Sequence, residues 1–237
     1  GSGGGAPPGE FSVPGARIGG GLELGIGGGW AVIGQVGYQN LFGSPGDAAG
    51  ALEDGAHARE QAHRLAGPVD ILVGNAGVNV HYGPISEIPD DAYEKTMQVN
   101  VQANLWLARL VAPDMIEKGN GSMMFTASVG AFKPSETLGL YGTSKLALIG
   151  LVRNLALEYG PQGVRANAIC PGLVRTDFAK ALWDNPEAVK RANSQIPLRR
   201  LGEADDFQGL AVFLGSDASR YMTGQALTVC GGSFMWS

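Results

Sequence analysis

The 237-residue chain carries a net charge of −5, with 44% hydrophobic and 16% charged residues, which excludes an intrinsically disordered chain and leaves no basic face for nucleic acid. Its two cysteines, Cys170 and Cys230, cannot build a disulfide scaffold and read as small apolar core residues, and His57, His63 and His81 are too scattered to form a metal-ligand cluster. The 38 glycines are about twice the usual share, and 18 of them fall in residues 1–50.

In chain order, the stretch from Leu24 to Gly46 is uncharged but interrupted by Gly27-Gly28-Gly29, Gly34, Gln35, Gly37, Gln39 and Asn40. Neither a membrane span nor a secretory leader is expected from it, and the chain reads as cytoplasmic. Leu52–Leu65 is helix-permissive and ends at Gly67-Pro68. Val69–Val73 is a short β-branched run of the kind buried in a parallel sheet. Helical periodicity covers Asp90–Lys118, with Pro113 as the expected break or kink, and Ser122–Thr126 follows as a strand. A long helix is predicted over Tyr141–Tyr159, stopped by Gly160-Pro161. Val164–Ile169 and Ala226–Val229 read as strands, with Glu203–Leu214 a helix between them. This alternation predicts an α/β fold, a doubly wound parallel sheet of the Rossmann type. One domain over 1–237 is expected, with an atypical glycine-rich part at 1–66.

The chemistry concentrates between Ser122 and Lys145. Tyr141 and Lys145 stand four residues apart, on one face of the predicted helix, and Ser128 follows a strand, where open α/β sheets place ligands. Read singly, Tyr141 and Lys145 make an ordinary surface pair, Ser128 a turn residue and Asn100 a helix residue bonded to nearby backbone. Read jointly, Ser128…Tyr141-x-x-x-Lys145 resembles the short-chain dehydrogenase/reductase family. The resemblance extends to Gly74-Asn75-Ala76-Gly77, matching the family's Asn-Asn-Ala-Gly with glycine in first position. It further takes in Asn100, Pro171-Gly172-Leu173-Val174-Arg175-Thr176, Arg200-Leu201-Gly202-Glu203 and Thr223-Gly224-Gln225…Gly231-Gly232.

The family resemblance implies hydride transfer between an alcohol and a carbonyl, with NAD or NADP as cofactor and a small-molecule substrate. Such chemistry needs a group that gives or takes a proton at oxygen. Tyr141 is then the acid/base, and Lys145 is expected to draw its pKa down from the ordinary value near 10. Ser128 would polarise the substrate oxygen, and Asn100 would support a water-linked relay from Lys145. Asn75, Ala76, Gly77, Tyr141, Lys145, Pro171, Gly172, Val174 and Thr176 would face the cofactor. Asp177–Ile196, with Phe178, Leu182 and Trp183, occupies the place of the family's substrate lid and implies an apolar or cyclic substrate. A 3-oxoacyl thioester reductase is a variant of this reading. The family's usual homotetramer implies a homo-oligomer, tetramer or dimer, with Phe234-Met235-Trp236 at a contact.

The first third departs from the pattern. Gly20-Gly21-Leu22-Glu23-Leu24-Gly25-Ile26-Gly27 reproduces the family's glycine spacing, so Gly21, Gly25, Ile26 and Gly27 are the candidate pyrophosphate residues, opening a helix that contains Gly28, Gly29, Gly34 and Gly37. The interval from Gly27 to Asn75 is about twenty residues shorter than the family's. Either the segment is a divergent dinucleotide-binding half, or it is an altered one beside an intact catalytic half. The second option carries the alternative function: a non-catalytic structural or interaction subunit.

Overall fold

A computed structural model of the chain describes residues 25–26, 29–33, 67–176, 179 and 183–235. Six strands form one sheet in the order β1 (Gly25–Ile26), β2 (Gly29–Ile33), β3 (Ile71–Gly74), β4 (Gly121–Thr126), β5 (Val164–Pro171) and β6 (Ala226–Val229). From β2 onward every neighbouring pair is parallel, and β1 alone runs antiparallel, against β2. The central strands β4 and β5 are buried over nearly their whole length, their polar Ser122, Arg165 and Asn167 included.

Side chains alternate across the pleat and build two cores. Leu72, Met123, Phe125, Ala166, Ala168 and Cys170 face one side, together with Met115 of a helix at Ala103–Lys118 (α2) and Leu148, Ile149 and Val152 of a helix at Gly139–Tyr159 (α3). Ile71, Met124 and Ile169 face the other side, against Leu210, Ala211 and Leu214 of a helix at Gln208–Gly215 (here α5). The sheet is therefore wound on both faces, as the alternating sequence pattern predicts. A shorter helix, Asp90–Met97 (α1), precedes α2, and Pro186–Gln195 (α4) lies between β5 and α5.

Several local expectations are corrected. Pro113 does not break α2; the interruption lies upstream, where Gln98–Gln102 forms a π-helical turn joining α1 to α2. The predicted Glu203–Leu214 helix is a 3₁₀ turn at Ala204–Phe207 followed by α5. Most consequential, Gly29–Ile33 is a strand, not part of a pyrophosphate-binding helix. Trp-Ala-Val-Ile is a β-favouring run, and pairing Ala31, Val32 and Ile33 with Ile71, Leu72 and Val73 extends the parallel sheet by one strand. Glycines on either side of it disfavour helix. The predicted helix at Leu52–Leu65 lies outside the described residues. No described helix is long and apolar enough to cross a membrane.

Candidate active site

The parallel strands point their C-terminal ends the same way, and three connections converge there: the Asn75–Gly77 loop after β3, Ser128 after β4, and Cys170–Gly172 at the end of β5. The N-terminal part of α3 packs over this mouth and brings Tyr141 and Lys145 into it.

Ser128 caps the 3₁₀ turn Val129–Ala131, its Oγ accepting from the Gly130 N–H at 3.0 Å. A hydroxyl has one proton to give, and the side chain of Ser128 hydrogen-bonds that of Tyr141. Lys145 Nζ donates to the Thr126 carbonyl at 2.8 Å and stands 5.6 Å from the centre of the Tyr141 ring. Thr126 also holds the neighbouring loop, its Oγ1 donating to Asn75 Oδ1 at 2.7 Å.

Asn100 sits in the π turn, fully buried, and every part of its amide is engaged. Oδ1 accepts from the Val78 N–H at 2.8 Å, while Nδ2 donates to the Val78 carbonyl at 2.9 Å and to Ser144 Oγ at 2.8 Å. Ser144 in turn donates to the Tyr141 carbonyl at 2.7 Å. One buried chain of hydrogen bonds thus ties the Asn100 turn, the loop after Gly77 and the Tyr141–Lys145 turn of α3 together. Ser144 and the Thr126 carbonyl are members that the sequence reading did not single out. Ser144 could have been found as the residue before Lys145; the role of a main-chain carbonyl has no residue signal.

Burial sets the charges in a way opposite to the sequence expectation for the tyrosine. Its removal from water pushes the Tyr141 phenol above its ordinary value, opposed by the Ser128 hydrogen bond, so the net shift is upward rather than the expected lowering. The same loss of water brings Lys145 down to about 8. Cys170, beside both, is buried and pushed up to about 11, so it is a neutral thiol near pH 7.

Of the other candidates, Gly172 lies against Cys230, with its N–H donating to the Val229 carbonyl at 3.0 Å. Val174 pairs with Gly202, and the Thr176 carbonyl accepts from Trp183 Nε1 at 2.9 Å. Asp177, Phe178 and Leu182 of the expected lid lie outside the described residues, as do Gly21 and Gly27. Gly25 and Ile26 do not join the cluster. They pair with Trp30 and Gly29 at the start of β2, the end of the sheet opposite the mouth where Ser128 and Gly77 stand. The connection leaving the mouth end of β2 begins at Gly34, outside the described residues. Among the described residues, no group of three His, Cys, Asp or Glu side chains could hold a metal ion.

Residues 45–233 match a family model described as enoyl-(acyl carrier protein) reductase. The bovine and human proteins named dehydrogenase/reductase SDR family member 4 are each 38% identical to the chain over 184 residues. This chain is a member of the short-chain dehydrogenase/reductase family. The match takes in 78% of it and 66% of those two relatives, so it spans about two thirds of their length. Among solved members, a gluconate 5-dehydrogenase from Burkholderia cenocepacia in complex with NADP and tartrate superposes with a TM-score of 0.73 at 30% identity, over 76% of this chain and 71% of its own. A 7α-hydroxysteroid dehydrogenase complexed with NADH and 7-oxo glycochenodeoxycholic acid gives 0.72 at 34% identity, over 76% and 70%. The family is one of NAD(P)-linked oxidoreductases.

The residues at the mouth fit a dinucleotide. An ammonium has three protons to donate, and Lys145, only 2% exposed, has the Thr126 carbonyl as its one hydrogen-bond acceptor among the described residues. Ribose hydroxyls are acceptors of the missing kind. Gly77 keeps the adjoining loop close, since a Cβ there would stand 3.0 Å from Lys145 Nζ and 3.4 Å from Asn100 Oδ1.

Proposed function

We propose that this protein interconverts a secondary or primary alcohol and its ketone or aldehyde with NAD(P), using Ser128, Tyr141, Lys145 and Asn100. The observation that supports the reading is that Asn100, Tyr141 and Ser128 are linked by hydrogen bonds through Ser144 at the C-terminal mouth of β3–β5, with Lys145 Nζ 5.6 Å from the Tyr141 ring and bonded to the Thr126 carbonyl. Asn75, Ala76, Gly77, Lys145, Pro171, Gly172, Val174 and Thr176 are the residues that would hold the cofactor. When bound, the nicotinamide supplies the hydride-accepting or hydride-donating carbon.

The chain's own groups handle the oxygen. For reduction, the carbonyl oxygen accepts from the Ser128 hydroxyl and takes the Tyr141 proton as the alcohol forms. A phenol pushed upward by burial is in the neutral, proton-giving form at pH 7, which suits this direction. For oxidation Tyr141 must first release its own proton; the phenolate so formed takes the alcohol O–H proton as the carbon gives its hydride to the bound cofactor. Lys145, at about 8, is the neighbouring group through which the proton is replaced, and Asn100 holds the turn beside it.

The relatives act on substrates as different as gluconate and a bile-acid steroid, so the substrate test is a panel: polyols, cyclic and steroidal ketones, and 3-oxoacyl thioesters. Full-length protein is expected to change reduced-nicotinamide absorbance with at least one member. Tyr141→Phe should lower kcat by about 10²–10⁴-fold while leaving the unfolding midpoint within a few degrees. Retained activity in that variant contradicts the role given to the phenol. A homo-oligomer is proposed on the same footing: Leu146 and Leu157, eleven residues apart on one face of α3, are 50% and 78% exposed. Light scattering at monomer mass would overturn it.

A further inference from the structure

The π turn at Asn100 is a rare backbone form that needs a local cause, because its hydrogen bonds reach five residues back, as the Ala103 N–H does to the Gln98 carbonyl. Asn104 stands one turn beyond Asn100, almost fully buried, and its Nδ2 donates to the Asn100 carbonyl at 2.9 Å. A buried amide is costly unless bonded, so this contact fixes Asn104 as well as the carbonyl. The space for it comes from β3. Any Cβ at Gly74 would overlap Asn104 Oδ1 and lie 2.6 Å from Phe125 Cδ1. The family's pattern has an asparagine at the position of Gly74; here the strand carries no side chain and the helix delivers a carboxamide into that room.

We infer that Asn104, seated in the space left by Gly74, is a positioning residue for Asn100: its amide holds the Asn100 carbonyl, sets the π turn, and so aims the Asn100 side chain at Val78 and Ser144. The consequence for turnover rests on the proposed activity; the structural part does not. Asn104 acts through Asn100, whose links to Val78 and Ser144 join the loop after Gly77 to α3.

Two nearly isosteric variants separate hydrogen bonding from packing. A threonine on a helix can donate to the carbonyl four residues back, and a valine of the same shape cannot. Relative to Asn104→Thr, Asn104→Val is expected to lower kcat by about tenfold, with the calorimetric Kd for the dinucleotide changed less than about threefold. It should also speed amide hydrogen exchange at Val78 and across 98–104, whereas Asn104→Thr stays near wild type. Equal behaviour of the two variants, whether both intact, both impaired or both unfolded, overturns the inference; failure of Asn104→Val alone to fold supports it. If the wild-type protein turns over nothing, the activity reading falls, and the exchange comparison decides this inference by itself.

Discussion

The two ends of the parallel strands use their polar groups differently. At the N-terminal ends, side chains are committed to closing helices onto the sheet. Asp114 of α2 accepts from the Val69 N–H at 3.0 Å, Lys118 pairs with Asp70, and Ser122, Arg165 and Ser219 all donate to the Leu214 carbonyl at the end of α5. At the C-terminal ends, Ser128 and Tyr141 are half-buried and hydrogen-bonded to each other, and the ammonium of Lys145, 2% exposed with the Thr126 carbonyl as its one acceptor among the described residues, is tolerated at a displaced pKa. On the proposed function, one end of the sheet serves stability and the other chemistry, so substitutions at the two ends should separate into two kinds of loss.

The largest loss is expected at the chemical end. On the proposed role, Ser128→Ala removes a donor to the reacting oxygen and should cut kcat by about 10²–10³-fold, with unfolding by urea nearly unchanged. An unaltered kcat would place Ser128 with the structural residues. Gly163→Ala tests the opposite end. Gly163 has φ +81° and faces the Gly119 carbonyl so closely that a Cβ would overlap it. About 3 kcal/mol of stability should be lost in denaturant titration, with kcat per folded molecule at the wild-type level.

Lys145→Met sharpens the contrast through pH. Below about 8 both folded and unfolded states hold the lysine proton, and the folded state buries a charge. Between that value and 10.5 the unfolded chain binds the proton and the folded protein does not, so stability rises with pH. From pH 8 to 10, wild type should gain about 2–3 kcal/mol relative to Lys145→Met, read from parallel urea titrations. A flat difference contradicts the buried-ammonium description. Smallest is Ser122→Ala, about 1 kcal/mol, because the Leu214 carbonyl keeps its bonds from Arg165 and Ser219.

Much of this division was legible in the sequence. The long helix carrying Tyr141 and Lys145 declares itself by apolar spacing and a Gly160-Pro161 stop, and β4–β6 by short segments centred on apolar residues between turn signals. Three features were not legible, each for a physical reason. The strand at Gly29–Ile33 is five residues long among glycines, too short a window for its periodicity to be told from the start of a helix. Pro113 carries a helix-breaking signal that α2 overrides, while the π turn at Gln98–Gln102 has no composition of its own. The direction of the Tyr141 shift depends on whether burial or the neighbouring cation dominates, and depth of burial belongs to the folded chain rather than to residue spacing.

The central claim, that the mouth formed by Gly77, Ser128 and Lys145 receives a nicotinamide dinucleotide, is tested most directly by calorimetric titration of the full-length protein with NAD, NADH, NADP and NADPH, in parallel with Gly77→Val. Saturable binding of at least one of them to wild type, weakened by about tenfold or more in the variant, is the expected result, since a side chain at 77 would press on Lys145 and Asn100. No saturable binding by wild type, or identical affinities in the two proteins, would contradict the account.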